Sequence, residues 1–67
     1  MKEQPKVGTI VKLHVMLNDG IRLALGRVAR VYDGTAFIDC NGRQYSRYWD
    51  GLTEATQEEE VLWRLEQ

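Results

Sequence analysis

The chain has 67 residues, of which 43% are hydrophobic and 28% charged, with a net charge of −1; this composition fits one globular domain and argues against wholesale disorder or a second domain. Its longest apolar run falls far short of the roughly 18 residues of a membrane span, and Met1-Lys2-Glu3-Gln4-Pro5-Lys6 lacks the apolar core of a signal peptide. A single cysteine, Cys40, excludes an internal disulfide framework and fits a reducing, cytoplasmic setting.

Residues 1–6 are polar, contain Pro5 and read as a flexible arm. From Val7 to Leu17 the pattern alternates, with Val7, Thr9, Val11, Leu13, Val15 and Leu17 on one side and Ile10, Lys12, His14 and Met16 on the other. Period two over this length predicts a half-buried strand, with Gly8 as a bend near its start. Asn18-Asp19-Gly20 breaks the strand with turn residues. A second strand runs over 21–32, with Leu23, Leu25, Ala29 and Val31 on one face and Arg22, Ala24, Val28, Arg30 and Tyr32 on the other. Gly26 in its middle predicts a bulge or sharp bend. A bulge there flips the phase and turns Val28 inward in place of Ala29.

Asp33-Gly34 and Asn41-Gly42 sit between runs rich in Val, Ile, Tyr and Phe. Each supplies the two positive-φ positions of a type I′ turn, whose twist matches that of paired strands. Two-residue loops fix the register: Tyr32 opposes Thr35, Val31 opposes Ala36, Arg30 opposes Phe37, Cys40 opposes Arg43, Ile38 opposes Tyr45 and Phe37 opposes Ser46. Opposed residues share a face. Ala29, Val31, Ala36, Ile38, Cys40 and Tyr45 therefore form the candidate core face. Arg30, Tyr32, Phe37, Ser46 and Tyr48 form an aromatic and basic face. Over 43–49, Arg43, Tyr45, Arg47 and Trp49 alternate with Gln44, Ser46 and Tyr48, and neither set is clean enough to assign to the inside.

Asp50-Gly51 closes the sheet, and Thr56-Gln57-Glu58-Glu59 matches a capping box. A helix near 54–66 follows, with acidic residues at its positive end and Arg64 at its negative end. Val61, Leu62 and Leu65 form a narrow apolar stripe that a marginal helix must dock on the sheet or on a partner. The predicted fold is thus mainly β: a small, strongly bent antiparallel sheet or SH3-like barrel of four to five strands, near 7–17, 21–32, 35–40 and 43–49, with one C-terminal α-helix. All 67 residues form a single domain.

Val7-Gly8-Thr9-Ile10-Val11-Lys12-Leu13, then Gly26-Arg27-Val28-Ala29-Arg30-Val31, then Asp33-Gly34-Thr35-Ala36-Phe37-Ile38, resembles the small SH3-like barrels of the KOW and Tudor kind. In those modules a glycine opens a strand, two valines three apart face the core and a hairpin returns. The resemblance spans about residues 7–49 and implies a partly closed antiparallel sheet with a binding role, for nucleic acid or protein. An acidic helix at the end departs from that pattern. No clear aromatic cage is present, so methyl-lysine recognition does not carry over.

No catalytic, metal or nucleotide motif stands out. His14 is the only histidine, which leaves no Cys/His cluster at ligand spacing; on an alternating strand beside Lys12 it reads as an exposed structural residue. Cys40 abuts a turn on the core face and reads as a small buried hydrophobe. The glycines are turn residues and fit no phosphate loop, and Glu58-Glu59-Glu60 point in different directions on a helix. The chain is therefore expected to be non-enzymatic, without cofactor or metal. Charge is divided unevenly: residues 1–49 carry a net +4 and residues 50–67 a net −5, a pattern that helix-dipole chemistry and solvated surface already account for. Two function classes remain. A protein partner, engaged through the aromatic and basic sheet face or the acidic helix by an adaptor or inhibitor of the kind common among phage and mobile-element accessory proteins, is favoured because Arg30, Tyr32, Phe37, Arg47, Tyr48 and Trp49 are side chains typical of interfaces. Nucleic acid is the alternative, with Tyr32, Phe37 and Tyr48 as stacking platforms, opposed by the acidic tail unless the helix lies on the far side.

Overall fold

A computed structural model of the chain describes residues 1–66. The two Asx-Gly loops take the backbone their residue types favour: φ is 51° and 81° at Asp33 and Gly34, and 52° and 80° at Asn41 and Gly42. These positive values at both central positions make type I′ turns. The strands they join are β2 (Gly20–Tyr32), β3 (Thr35–Cys40) and β4 (Arg43–Tyr48). All six cross-strand pairs expected from the loops are present.

Strand β1 (Ile10–Leu17) pairs with the first half of β2, Leu17 opposing Gly20 across the Asn18-Asp19 turn. It starts three residues later than the alternation suggests, since Gly8 sits in a turn at φ 95°. After β4 a short 3-10 turn, Trp49–Gly51, leads into β5 (Thr53–Glu54), which pairs with Val11 and Lys12 of β1. The result is one open, five-stranded antiparallel sheet in the order β4-β3-β2-β1-β5. Its two edge strands are neighbours in sequence, joined only by that turn. The sheet must therefore bend to bring its edges near one another.

The phase of β2 differs from the first expectation, and the reason is steric. Gly26 is no bulge; it is buried opposite Val11, where an added Cβ would stand 2.6 Å from Ile38 Cγ2. The inward residues of the strand are therefore small: Ala24, opposite Leu13, then Gly26 and the fully buried Val28. Leu23 and Leu25 lie on the opposite, outer face. The irregularity sits between Val28 and Arg30, with Ala29 as the extra residue. That bulge resets the phase, so Val31 packs on the core opposite Ala36, and Arg30 and Tyr32 face outward. Val11, Leu13, Val15, Val28, Ala36, Ile38 and Leu52 make up the core, with Tyr45 and Trp49 against it.

Helix α1 (Gln57–Leu65) carries the expected capping box: the Glu59 amide donates to Thr56 Oγ1 at 3.2 Å and the Thr56 amide donates to Glu59 Oε1 at 2.9 Å. It begins later than position 54, because Thr53 and Glu54 are used as β5. Of the two expected docking places for Val61, Leu62 and Leu65, the sheet or a partner, the sheet is not used, for all three are exposed. The helix instead holds the sheet through Glu59, which pairs with Lys12 at 3.2 Å, and through Trp63, which lines a cleft with Arg27, Asp39 and Asn41. Residues 1–6, expected as an arm, lie near the 3-10 turn. Pro5 is buried, and the Met1 ammonium donates to the carbonyls of Trp49, Asp50 and Leu52 at 3.1, 2.9 and 2.6 Å. Among the described residues, no helix is long and apolar enough to cross a membrane.

Candidate functional site

The outer face of β2, β3 and β4 is built in cross-strand rows. Nearest the helix lie Arg27, Asp39 and Gln44, with Gln44 Nε2 donating to Asp39 Oδ1 at 3.4 Å. The next row is Arg30, Phe37 and Ser46. The Arg30 guanidinium stands 4.4 Å from the Phe37 ring centroid, a stacking that holds the cation flat against the sheet. The last row is Tyr32, Thr35 and Tyr48. Its two tyrosines are 72% and 74% exposed and flank Thr35, two strand spacings or about 10 Å apart. The bulge at Ala29 brings Arg30 and Tyr32 to the same side as Phe37. Regular alternation through Ala29 would instead put Arg30 and Tyr32 on the same side as Val28.

Of the six residues expected to contact a partner, the structure groups Arg30, Tyr32, Phe37 and Tyr48. Arg47 and Trp49 project from the other side of the sheet. Trp49 is half-buried against the core, with its amide donating to the Gly34 carbonyl at 3.1 Å. Arg47 lies beside the Tyr45 ring, 5.4 Å from its centroid, and reaches the edge of β1, where it donates to the His14 carbonyl at 3.2 Å.

No family model, curated protein or solved structure matches the chain. The residues themselves carry the functional reading.

Sequence periodicity missed a second exposed group. Met16 opposes Ile21 and His14 opposes Leu23 on the projecting β1–β2 hairpin, and Met16, Ile21 and Leu23 are all exposed. Alternation puts Leu23 on one face with Ala29 and Val31, whereas Val31 packs on the core and Leu23 does not. Gly26 marks an irregular point in the strand, but the contact that turns it inward is with Ile38 on β3, which no local pattern reveals. Leu23 and Tyr48 line one cleft with His14 and Lys12, so the hairpin surface continues into the tyrosine row.

Charge on this surface is set by the helix. Glu59 is held below the ordinary carboxylate range, first by the Thr56 amide, against the opposing effect of desolvation, and further by Lys12 and the Thr56 hydroxyl. Lys12 is thereby matched by a carboxylate on the same outer face. Cys40 is buried, and desolvation pushes its thiol up, away from the reactive thiolate. Among the described residues no three His, Cys, Asp or Glu side chains stand together as a metal site would need.

Proposed function

We propose that the chain is a small non-enzymatic binding module that engages a protein partner through the outer face around Arg30, Tyr32, Phe37 and Tyr48. The observation that carries this reading is the pair of exposed tyrosines beside the stacked Arg30 and Phe37, on a strand platform that fixes their spacing. Tyr and Arg are among the side chains that carry most binding energy at protein interfaces, and the stacked Arg30–Phe37 pair loses little entropy on contact. The SH3-like resemblance over about residues 7–49 implies a binding role of this kind. A cytoplasmic setting suits the single buried thiol.

The acidic helix bears on the choice between protein and nucleic acid. It lies on the same outer face, where Glu59 occupies Lys12 and the neighbouring glutamates add to the negative charge. Phosphate would meet that charge at one end of the platform, which favours the protein reading. The test is affinity capture from the native host with and without nuclease, followed by salt titration of the captured complex. A protein complex survives nuclease, weakens mildly with salt and is lost in the double variant Tyr32→Ala with Phe37→Ala. A complex that disappears with nuclease and weakens steeply with salt overturns the reading in favour of nucleic acid. A folded double variant that still holds every partner removes this face as the site.

A further inference from the structure

We infer that the seam between the edges of β1 and β4 is a slot for an acidic, extended peptide, with Arg47 as the residue that receives its carboxylate. The slot begins where β5 stops. That strand covers β1 only at Val11 and Lys12. The Ala55 amide donates to the Ile10 carbonyl at 2.9 Å, which identifies the backbone groups facing this edge as those of the even-numbered residues. His14 and Met16 therefore present their amides and carbonyls to the seam beyond the end of β5, where an added strand can pair.

Arg47 closes the seam from the opposite side. One terminal nitrogen donates to the Ser46 carbonyl at 2.8 Å and the other to the His14 carbonyl at 3.2 Å, so one guanidinium ties the edge of β4 to the edge of β1. Both acceptors are neutral. The ion pairs among the described residues are Lys12 with Glu59, Arg22 with Asp19 and Arg64 with Glu60, and none includes Arg47. A half-buried guanidinium whose hydrogen bonds all go to neutral carbonyls gains by exchanging one for a carboxylate, since the opposite charge adds Coulomb attraction and two oxygens accept its fork together.

The surrounding cleft has a volume of about 360 Å³, and Lys12, His14, Leu23, Arg47, Tyr48 and Thr53 are among its lining residues; among the described residues no Asp or Glu lines it. A strand laid along His14 and Met16 donates its own amide to the His14 carbonyl, releasing Arg47 to a glutamate or aspartate on the peptide. Leu23 and Tyr48 then receive the apolar residues that alternate with the acidic ones. Arg47, with no ion-pair partner while Lys12 is matched by Glu59, selects an acidic peptide over a basic one. This slot rests on the protein-binding reading but uses different residues, sharing only Tyr48 with the outer face.

The test uses the full chain, isotope-labelled for amide chemical-shift mapping. It is titrated with an acetylated, amidated hexapeptide alternating valine and glutamate, and separately with its valine–lysine counterpart. Saturable shifts at His14, Met16 and the Arg47 side chain with the glutamate peptide alone are expected. Arg47→Gln weakens that binding by about tenfold or more, the loss expected for a charge-assisted hydrogen bond. Arg47→Lys, which keeps the charge and gives up the fork, weakens it too, and serves if the glutamine variant does not fold. Tyr32→Ala with Phe37→Ala leaves it unchanged, so the outer face and the slot fail separately. Absence of saturable shifts at His14 and Met16, equal binding of both peptides, or full binding by a folded Arg47 variant overturns the inference.

Discussion

Gly26 passes so close to Ile38 that no side chain fits between them: a Cβ on residue 26 would stand 2.6 Å from Ile38 Cγ2 and 2.9 Å from the backbone carbonyl oxygen of Asp39. The contact lies where β2 leaves β1 and takes up β3, with Arg27 opposing both Ile10 and Asp39. Gly26→Ala therefore forces backbone apart at the centre of the sheet. A loss of about 1–3 kcal/mol is expected, the usual cost of overpacking a filled core. Urea unfolding of the variant measures it, and an unchanged midpoint would show that the two strands are less closely joined.

Gly42 offers the opposite case. Nothing lies within 4 Å of a Cβ built there, yet its φ is 80°. The cost of Gly42→Val is purely conformational, about 1–3 kcal/mol for a β-branched residue in the left-handed region. Gly42→Asn, a residue that tolerates this conformation, should recover part of it. Thermal melting of the two variants side by side separates backbone strain from lost packing.

The hairpins were legible in the sequence because Asp33-Gly34 and Asn41-Gly42 encode loop length, and loop length encodes register. Every pair from Tyr32–Thr35 to Cys40–Arg43 follows from those four residues. The capping box at Thr56 and Glu59 was legible for the same reason, being local chemistry. The phase of Gly20–Leu25 was not, because alternation alone does not say which face is in. Ile38, far away in sequence, decides it by occupying the space beside Gly26. The bulge at Ala29 was placed three residues early for the same reason: it depends on where β3 needs Val28 and Val31, and no residue type near it announces the insertion. Four of the six candidate contact residues were found together because hairpin pairing placed them. Arg47 and Trp49 were not separated from them, since the alternation of 43–49 mixes large residues on both faces.

Thr56 and Glu59 predict a pH dependence. The Glu59 carboxyl is held below its ordinary value of 4.5, chiefly by the Thr56 amide. Its folded form therefore binds a proton less readily than its unfolded form. The stabilisation is present above the unfolded value and is lost as pH falls through the folded one. Glu59→Gln should melt below the wild-type chain at neutral pH and converge with it on acidification below 4.5. Thr56→Ala, which deletes the cap hydroxyl, should cost about 0.5–2 kcal/mol. Parallel melting curves of wild type and Glu59→Gln at every pH would rule out this linkage.

The nine-residue helix α1 is too short to persist in water by propensity alone, so packing must supply its stability. The apolar stripe does not supply it: Val61, Leu62 and Leu65 are 51%, 56% and 76% exposed. Trp63, half-buried between the helix and the cleft beside Arg27 and Asp39, is the side chain placed to do so. Val61→Gln and Leu62→Gln should therefore change stability by no more than about 0.5 kcal/mol, as surface substitutions do. Trp63→Ala should cost about 3 kcal/mol or less, since only part of the ring is buried, and should release the amides of Gln57–Leu65 to rapid hydrogen exchange while those of β2 and β3 stay protected. If the glutamine substitutions melt the helix and the alanine does not, the stripe rather than the indole holds it to the sheet.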